Sequence, residues 1–374
     1  MIGVEKLLKS KMVRLSFIRF VEAVVKEATS SVEEVIKPKH LRLPPLPSPR
    51  DILKLYKIQA QRHLSQNFLL DPRLNNKIVT RTGNMAGCYV CEVGPGPGNI
   101  TRCILQNGAK HVIVVEKDRR FVPALELLAD ASDNRMKIIL GDIMDLNLES
   151  ILPRNLAREW TLDPPPLYII GNLPFNISTA LIVKWLKHCS KRTGPFIHGR
   201  TQLTLTFQKE VAYRMMSQEK QEFRSRLSIM CQHLCFVNHL FTIPGRAFFP
   251  KPDVDVCVVK FTPRIKPLIN QPFELVEKVV FTLFHHRQKY CLYNIKNLFP
   301  LDRLDLVEEM VKKSGVDPEK KSFELYMEDF NALCEVYNDI CEKNQGIFEY
   351  NYLIHKKLYL KNKSSEDSIV DNNM

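Results

Sequence analysis

The run Cys88-Tyr-Val-Cys-Glu-Val-Gly-Pro-Gly-Pro-Gly98 constrains the fold of this chain more than any other segment. A strand-like apolar stretch opens directly into three glycines at alternate positions, and helical spacing resumes over Ile100–Asn107. Glycine at such positions lets the backbone turn tightly and approach a ligand closely. A strand, glycine loop and helix in this order belong in an α/β sheet that carries a nucleotide-like cofactor at its strand ends. The spacing excludes two common versions. A dinucleotide fingerprint would need a third glycine at Asn99 or Thr101, and no Gly-Lys-Ser/Thr follows as in a P-loop. What remains is E-x-G-x-G-x-G from Glu92, with Glu116 closing the next strand, where a carboxylate can accept from both hydroxyls of a ribose.

The surrounding pattern agrees. Strand-like runs at Tyr89–Val93, Val112–Glu116, Lys137–Leu140, Tyr168–Gly171 and Gln202–Phe207 alternate with helical stretches at Arg119–Leu128, Thr179–His188 and Val211–Met216. Short apolar strands separated by helices give a mainly parallel sheet covered on both faces. Phe236–Ile243 and Asp255–Phe261 have no helix between them and read as an antiparallel edge hairpin. Four regions follow: an extension over 1–40, a strap and α/β domain over 41–263, a small helical domain over 264–345, and a tail over 346–374. The strap is proline-rich from His40 to Arg50, and a helical pattern runs from Asp51 to Gln61.

Charge narrows the partners. The chain of 374 residues carries a net charge of +13, which favours an acidic partner such as nucleic acid. Its ten cysteines are scattered. Cys88 and Cys91 lie in a strand-like run, and Cys231 and Cys235, on a helix-like stretch, lack a second pair, so no metal site is expected. Free thiols in this number suit a reducing compartment. No run has the length of a membrane span. The first 21 residues carry Lys6, Lys9, Lys11, Arg14 and Arg19 against Glu5, which fits either a mitochondrial presequence or a plain extension.

Asn172-Leu-Pro-Phe175 supplies a chemical purpose. An exocyclic amine on a nucleobase is a poor nucleophile because its lone pair is delocalised into the ring. Acceptors that hold its N–H groups let the nitrogen become more tetrahedral. The Asn172 side-chain oxygen and the neighbouring Leu173 carbonyl, beside Pro174, are such acceptors, and Phe175 offers a face for the base. With the glycine loop, the tetrapeptide reads as methyl transfer to a base amine. A sulfonium-borne methyl is already activated, so orientation and exclusion of water matter more than acid–base groups. Such tetrapeptides also serve DNA adenine methylation, so this element alone does not choose RNA.

Taken together, Ser65-Gln-Asn-Phe-Leu69, Glu92–Gly98, Val115-Glu-Lys117, Gly141-Asp142, Asn172–Phe175 and Phe248-Phe-Pro-Lys-Pro-Asp-Val254 resemble the ribosomal RNA adenine N6-dimethyltransferase family. The likeness runs from about Gln59 to Ile340. Arg42–Pro47, Leu203–Val211 and Gln271–Val279 look like its mitochondrial branch. The resemblance implies a Rossmann-like class I S-adenosylmethionine methyltransferase and a monomer. It implies Gln66, Asn67 and Leu69 at the methionine end of the cofactor and Gly94 and Gly96 at its centre. Glu116 would take the ribose, Lys117, Asp142 and Ile143 would surround the adenine, and Asn172 would serve both cofactor and target. Phe175 and Phe248 would sandwich the flipped base, with Phe249 left to the core. Arg287 and Lys289 would touch RNA, although Phe284-His-His-Arg-Gln-Lys289 has Gln288 where the family often has arginine. The implied reaction is dimethylation of two adjacent adenines near the 3′ end of mitochondrial small-subunit (12S) rRNA, in the matrix, during subunit assembly. A second reading, a nucleic-acid-binding factor of mitochondrial transcription, uses the same fold without needing the tetrapeptide.

Overall fold

A computed structural model describes residues 43–61 and 64–354. The extension over 1–40 and the end of the tail lie outside the described residues. Leu43 and Leu46 of the strap pack against the core, and Ser48 then caps helix α1 (Pro49–Leu55), its hydroxyl accepting from the Asp51 N–H at 3.2 Å. The helix is shorter than the periodicity implied. Lys57 turns left-handed at φ +49°, and the Ile58 N–H donates back to the Leu53 carbonyl, so Ile58 is buried by a turn rather than by a helical face.

The remaining elements follow the expected alternation. They are β1 (Phe68–Leu69), α2 (Pro72–Thr82), β2 (Tyr89–Val93), α3 (Asn99–Gln106), β3 (His111–Glu116), α4 (Val122–Asp130) and β4 (Met136–Leu140). Then come β5 (Leu167–Gly171), α5 (Phe175–Lys191), β6 (Gln202–Gln208), α6 (Lys209–Met216), α7 (Arg226–Leu234), β7 (Cys235–Ile243), β8 (Phe248–Phe249) and β9 (Val256–Pro263). Helices α8 (Phe273–Leu283), α9 (Cys291–Ile295), α10 (Leu304–Ser314) and α11 (Met327–Lys343) complete the described chain. Cys235 opens a strand rather than sharing the helix of Cys231. None of the described helices is long and apolar enough to cross a membrane.

Among the described residues, seven strands form a sheet in the order β4-β3-β2-β5-β6-β9-β7. The first five run parallel, and β9 lies antiparallel to both β6 and β7. The expected hairpin is therefore present, with β9 inserted inside the sheet and β7 forming its edge. Side chains alternate across β2: Cys91 and Val93 join one core cluster, while Val90 faces the other. The first cluster holds Trp185 of α5 and Ile229 of α7, and continues without a break into Val276 and Leu333 of the C-terminal helices and Phe299 of the connection between them. The second covers the opposite face with Ile78, Ile104 and Leu125. Strand order reverses where β2 adjoins both β3 and β5, and in open α/β sheets a ligand crevice forms at that point, beyond the strand ends.

Candidate functional site

The crevice lies where this topology puts it. Its walls include Gln66, Asn67 and Leu69 before α2, Glu92 in β2 and Gly94 to Pro97 after it, Glu116 at the end of β3, and Asn172 to Phe175 after β5. Gly94, Gly96 and Gly98 all adopt left-handed φ, at +66°, +53° and +83°. A β-carbon on Gly98 would also lie 3.0 Å from Leu128, so the helix behind the loop packs closely only because glycine is there.

Glu116 braces this loop from below. One carboxylate oxygen accepts from the Gly96 N–H at 3.0 Å, and the other accepts from the N–H groups of Lys117 and Asp118, each at 2.8 Å. Burial pushes its carboxyl above the usual range, and the three backbone donors offset only part of that shift. Glu92 is more extreme. It is 1% exposed, its Oε2 has no hydrogen-bond partner, and burial, opposed by Thr101 and reinforced by the nearby Glu116 charge, raises its carboxyl to about 8.

The segment carrying Gln66, Asn67 and Leu69 is fastened across the crevice. The Leu69 carbonyl accepts from the side-chain amides of Asn75, at 2.9 Å, and Asn99, at 2.7 Å. β1 pairs with β8, Phe68 opposite Phe249 and Leu69 opposite Phe248. Gln66 lines the crevice, yet its amide nitrogen donates to Asp118 at 2.8 Å and its oxygen accepts from the Gln61 N–H and from Arg120. The structure thus uses Gln66 as a tether for the segment. Sequence reasoning passed over Asn75 and Asn99. The only signal was a polar residue on the apolar face of each helix.

Lys117 and Asp142 meet in an ion pair of 2.7 Å. The Lys117 ammonium and the Met144 N–H, which donates to the other Asp142 oxygen at 2.9 Å, hold the Asp142 carboxyl below its usual range. Ile143 is buried beside them, 5% exposed.

Asn172 lines the crevice directly after β5. Its Nδ2 donates to the Asn67 backbone carbonyl at 3.0 Å, and its Oδ1 accepts from the Thr206 hydroxyl at 3.0 Å. Leu173 is buried, Pro174 caps α5, and half-buried Phe175 opens that helix.

Two expectations need correction. Phe248 does not present a face to a base. It is 4% exposed and belongs to the second core cluster, whereas Phe249 is 59% exposed. Neighbours on a strand point to opposite faces, and pairing with β1 turns Phe248 inward. Arg287 is not a free cation for RNA. Its guanidinium donates to the backbone carbonyls of Gln221, Glu222 and Arg224, and its side chain lies over the Phe323 ring. Lys289 is exposed.

The crevice has an excess of buried acceptors. Glu92 Oε2, Asn75 Oδ1 and Asn99 Oδ1 all line it and all lack donors. A buried acceptor left unpaired costs on the order of 1–3 kcal/mol, so the crevice fits a ligand rich in donors and positive charge. S-adenosylmethionine is such a ligand, with an ammonium and a sulfonium in one molecule. The sheet order, the glycine loop and these acceptors define an S-adenosylmethionine-dependent methyltransferase.

Comparison with known proteins carries this further. Residues 57–339 match the family model described as "Ribosomal RNA adenine dimethylase". The chain is 53% identical to dimethyladenosine transferase 1, mitochondrial, of Xenopus tropicalis over 294 residues, covering 78% of this chain and 85% of that protein. It is 52% identical to the Homo sapiens protein of the same name, with the same coverage. A solved dimethyladenosine transferase from Plasmodium falciparum shares the fold, with a TM-score of 0.57 and 24% identity over 72% of this chain and 96% of that one. The chain belongs to the ribosomal RNA adenine dimethylase family. It is an rRNA adenine N6-dimethyltransferase that uses S-adenosylmethionine.

Proposed function

We propose that this enzyme dimethylates N6 of two adjacent adenines in a stem-loop near the 3′ end of mitochondrial small-subunit (12S) rRNA, acting as a monomer in the matrix during subunit assembly. The observation that carries this reading is the setting of Asn172. Its amide bridges the cofactor-side segment and the sheet in the crevice wall. The mitochondrial names of the relatives support the compartment, and the family description supports a ribosomal RNA substrate.

In this reading Asn67 and Leu69, with Gly94 and Gly96, line the methionine half of the cofactor, while Gln66 holds their segment in place. Asn75, Asn99 and Glu92 receive its ammonium. Glu116 takes the ribose, and Lys117, Asp142 and Ile143 border the adenine. When bound, S-adenosylmethionine supplies a methyl on a sulfonium and leaves as a neutral thioether, and the N6 proton passes to water. The chain's own part is to hold the amine. Asn172 Oδ1 accepts one N–H of the adenine and the Leu173 carbonyl accepts the other. Phe175 supports the base on one face, and exposed Phe249 is better placed than Phe248 to meet it on the other.

Bases in an RNA loop are already partly unstacked, so drawing one out costs less than from a duplex. The 264–345 region would act as the RNA-binding domain, with Lys289 available and Arg287 bracing the loop at residues 221–224. The transcription-factor reading has no observation in its favour, since a role limited to binding gives no reason to hold Asn172 in this way. Mapping N6,N6-dimethyladenosine in small-subunit rRNA from mitochondria depleted of the protein tests the assignment. Loss of both marks, restored by the wild type and not by Asn172→Ala, is expected. Marks that persist without the protein would contradict it.

A further inference from the structure

Thr206 takes no part in the reading above except as the donor to Asn172. Its placement follows from strand register. β5 and β6 run parallel with Gly171 beside Leu205, so the next residues on each strand, Asn172 and Thr206, emerge side by side at the crevice. Thr206 is 1% exposed, and its hydroxyl donates to Asn172 Oδ1 at 3.0 Å. On the far side of the amide, Asn172 Nδ2 donates to the Asn67 carbonyl at 3.0 Å. A backbone carbonyl can only accept, so the nitrogen end of the amide must face Asn67. The oxygen end then faces Thr206, whose hydroxyl must be the donor.

An amide oxygen has two lone pairs. The Thr206 hydroxyl occupies one and leaves the other for an incoming N–H. It also fixes the plane of the amide, because two bonds at opposite ends prevent rotation about the last side-chain torsion.

We propose that Thr206 is a positioning residue for methyl transfer: its buried hydroxyl pins the Asn172 amide so that one lone pair of Oδ1 stays directed at the target amine. The proposal rests on the amine-holding role of Asn172. It makes a distinction between the two methyl transfers. Unmodified adenine offers two N–H groups and can use both acceptors. The monomethylated amine keeps one N–H and depends on a single acceptor. The proposal assigns that remaining N–H to Asn172 Oδ1, so loosening Asn172 harms the second transfer more than the first.

The test compares Thr206→Val, which keeps the shape and removes the donor, with Thr206→Ser, which keeps the donor. Full-length proteins are assayed with S-adenosylmethionine and a hairpin RNA carrying tandem loop adenines, and products are resolved as mono- and dimethyladenosine. Thr206→Val should lower kcat about tenfold or more, as expected for losing a hydrogen bond in the reacting arrangement, and should accumulate monomethyladenosine. Cofactor affinity should remain that of the wild type. Thr206→Ser should restore both the rate and the product ratio. If Thr206→Val is insoluble, Thr206→Cys, a weak donor of similar size, should fall between the two.

The proposal is overturned if Thr206→Val keeps wild-type kcat and product ratio while Asn172→Ala is inactive. Failure of serine to rescue also overturns it, since the methyl rather than the hydroxyl would then matter. An active Asn172→Ala variant would instead remove the reading on which the proposal rests, so the two failures are distinguishable.

Discussion

Replacing Glu92 by glutamine should make the cofactor-free protein more stable and the cofactor weaker. The side chain is 1% exposed, and its carboxyl is raised from 4.5 to about 8. Between those values the folded protein keeps a proton that the unfolded chain has released. Stability therefore falls as pH rises, by about 1.4 kcal/mol per pH unit. The penalty is absent near pH 4.5, reaches about 3 kcal/mol at pH 7, and levels off above pH 8. Glutamine has the same shape and no charge, so Glu92→Gln should recover up to that amount at pH 7 and little at pH 5. Urea denaturation of both proteins without cofactor, at intervals from pH 5 to 8, measures the difference. The difference between the curves is the informative quantity, because His233, whose ring burial holds at about 3, loses stability in the opposite direction, as pH falls through the ordinary histidine range. A bound ammonium should favour the ionised carboxylate, so S-adenosylmethionine binding to the wild type should release a proton near pH 7. Titration calorimetry in buffers of different ionisation enthalpy should show that release, and Glu92→Gln should lose it and bind at least about tenfold more weakly. A stability difference that does not vary with pH, or unchanged cofactor affinity, would refute the reasoning.

Other substitutions separate the site from its support. Gly171→Ala would place a β-carbon 2.9 Å from Leu173 and 3.1 Å from the Val93 carbonyl, so a loss of about 1–3 kcal/mol by chemical denaturation is expected, together with slower methyl transfer. Phe248→Ala should cost about 3–5 kcal/mol of stability as a core truncation. Phe249→Ala should leave the melting temperature nearly unchanged and weaken turnover on RNA, with cofactor affinity retained. Equal effects of the two phenylalanine changes on stability would contradict their assigned environments.

What could be read from the sequence was what neighbouring residues encode. The strand, glycine loop and helix from Tyr89 to Gln106 appear where the spacing placed them, because turn chemistry and periodicity are local. Glu116 and Asn172 reach the crevice because one closes a strand and the other directly follows one, and the apolar run of each strand was plain. Distant pairing hid the rest. Which of Phe248 and Phe249 turns inward depends on β1, far away in the chain. Thr206 sits in a strand buried on both faces, so alternation gave no hint that its hydroxyl meets Asn172; only the register of β5 with β6 brings them together. Arg287 was an RNA contact by resemblance alone, and its partners in the structure are backbone carbonyls, which carry no side-chain signature.

The most direct test of the central claim is nucleoside mass spectrometry after incubating the purified protein with S-adenosylmethionine and a stem-loop RNA bearing tandem loop adenines, alongside Asn172→Ala. N6,N6-dimethyladenosine with the wild type, and none with the variant at a cofactor concentration that saturates it and with RNA still bound, is the predicted result. Equal dimethylation by both proteins would contradict the account of how this site holds its target amine.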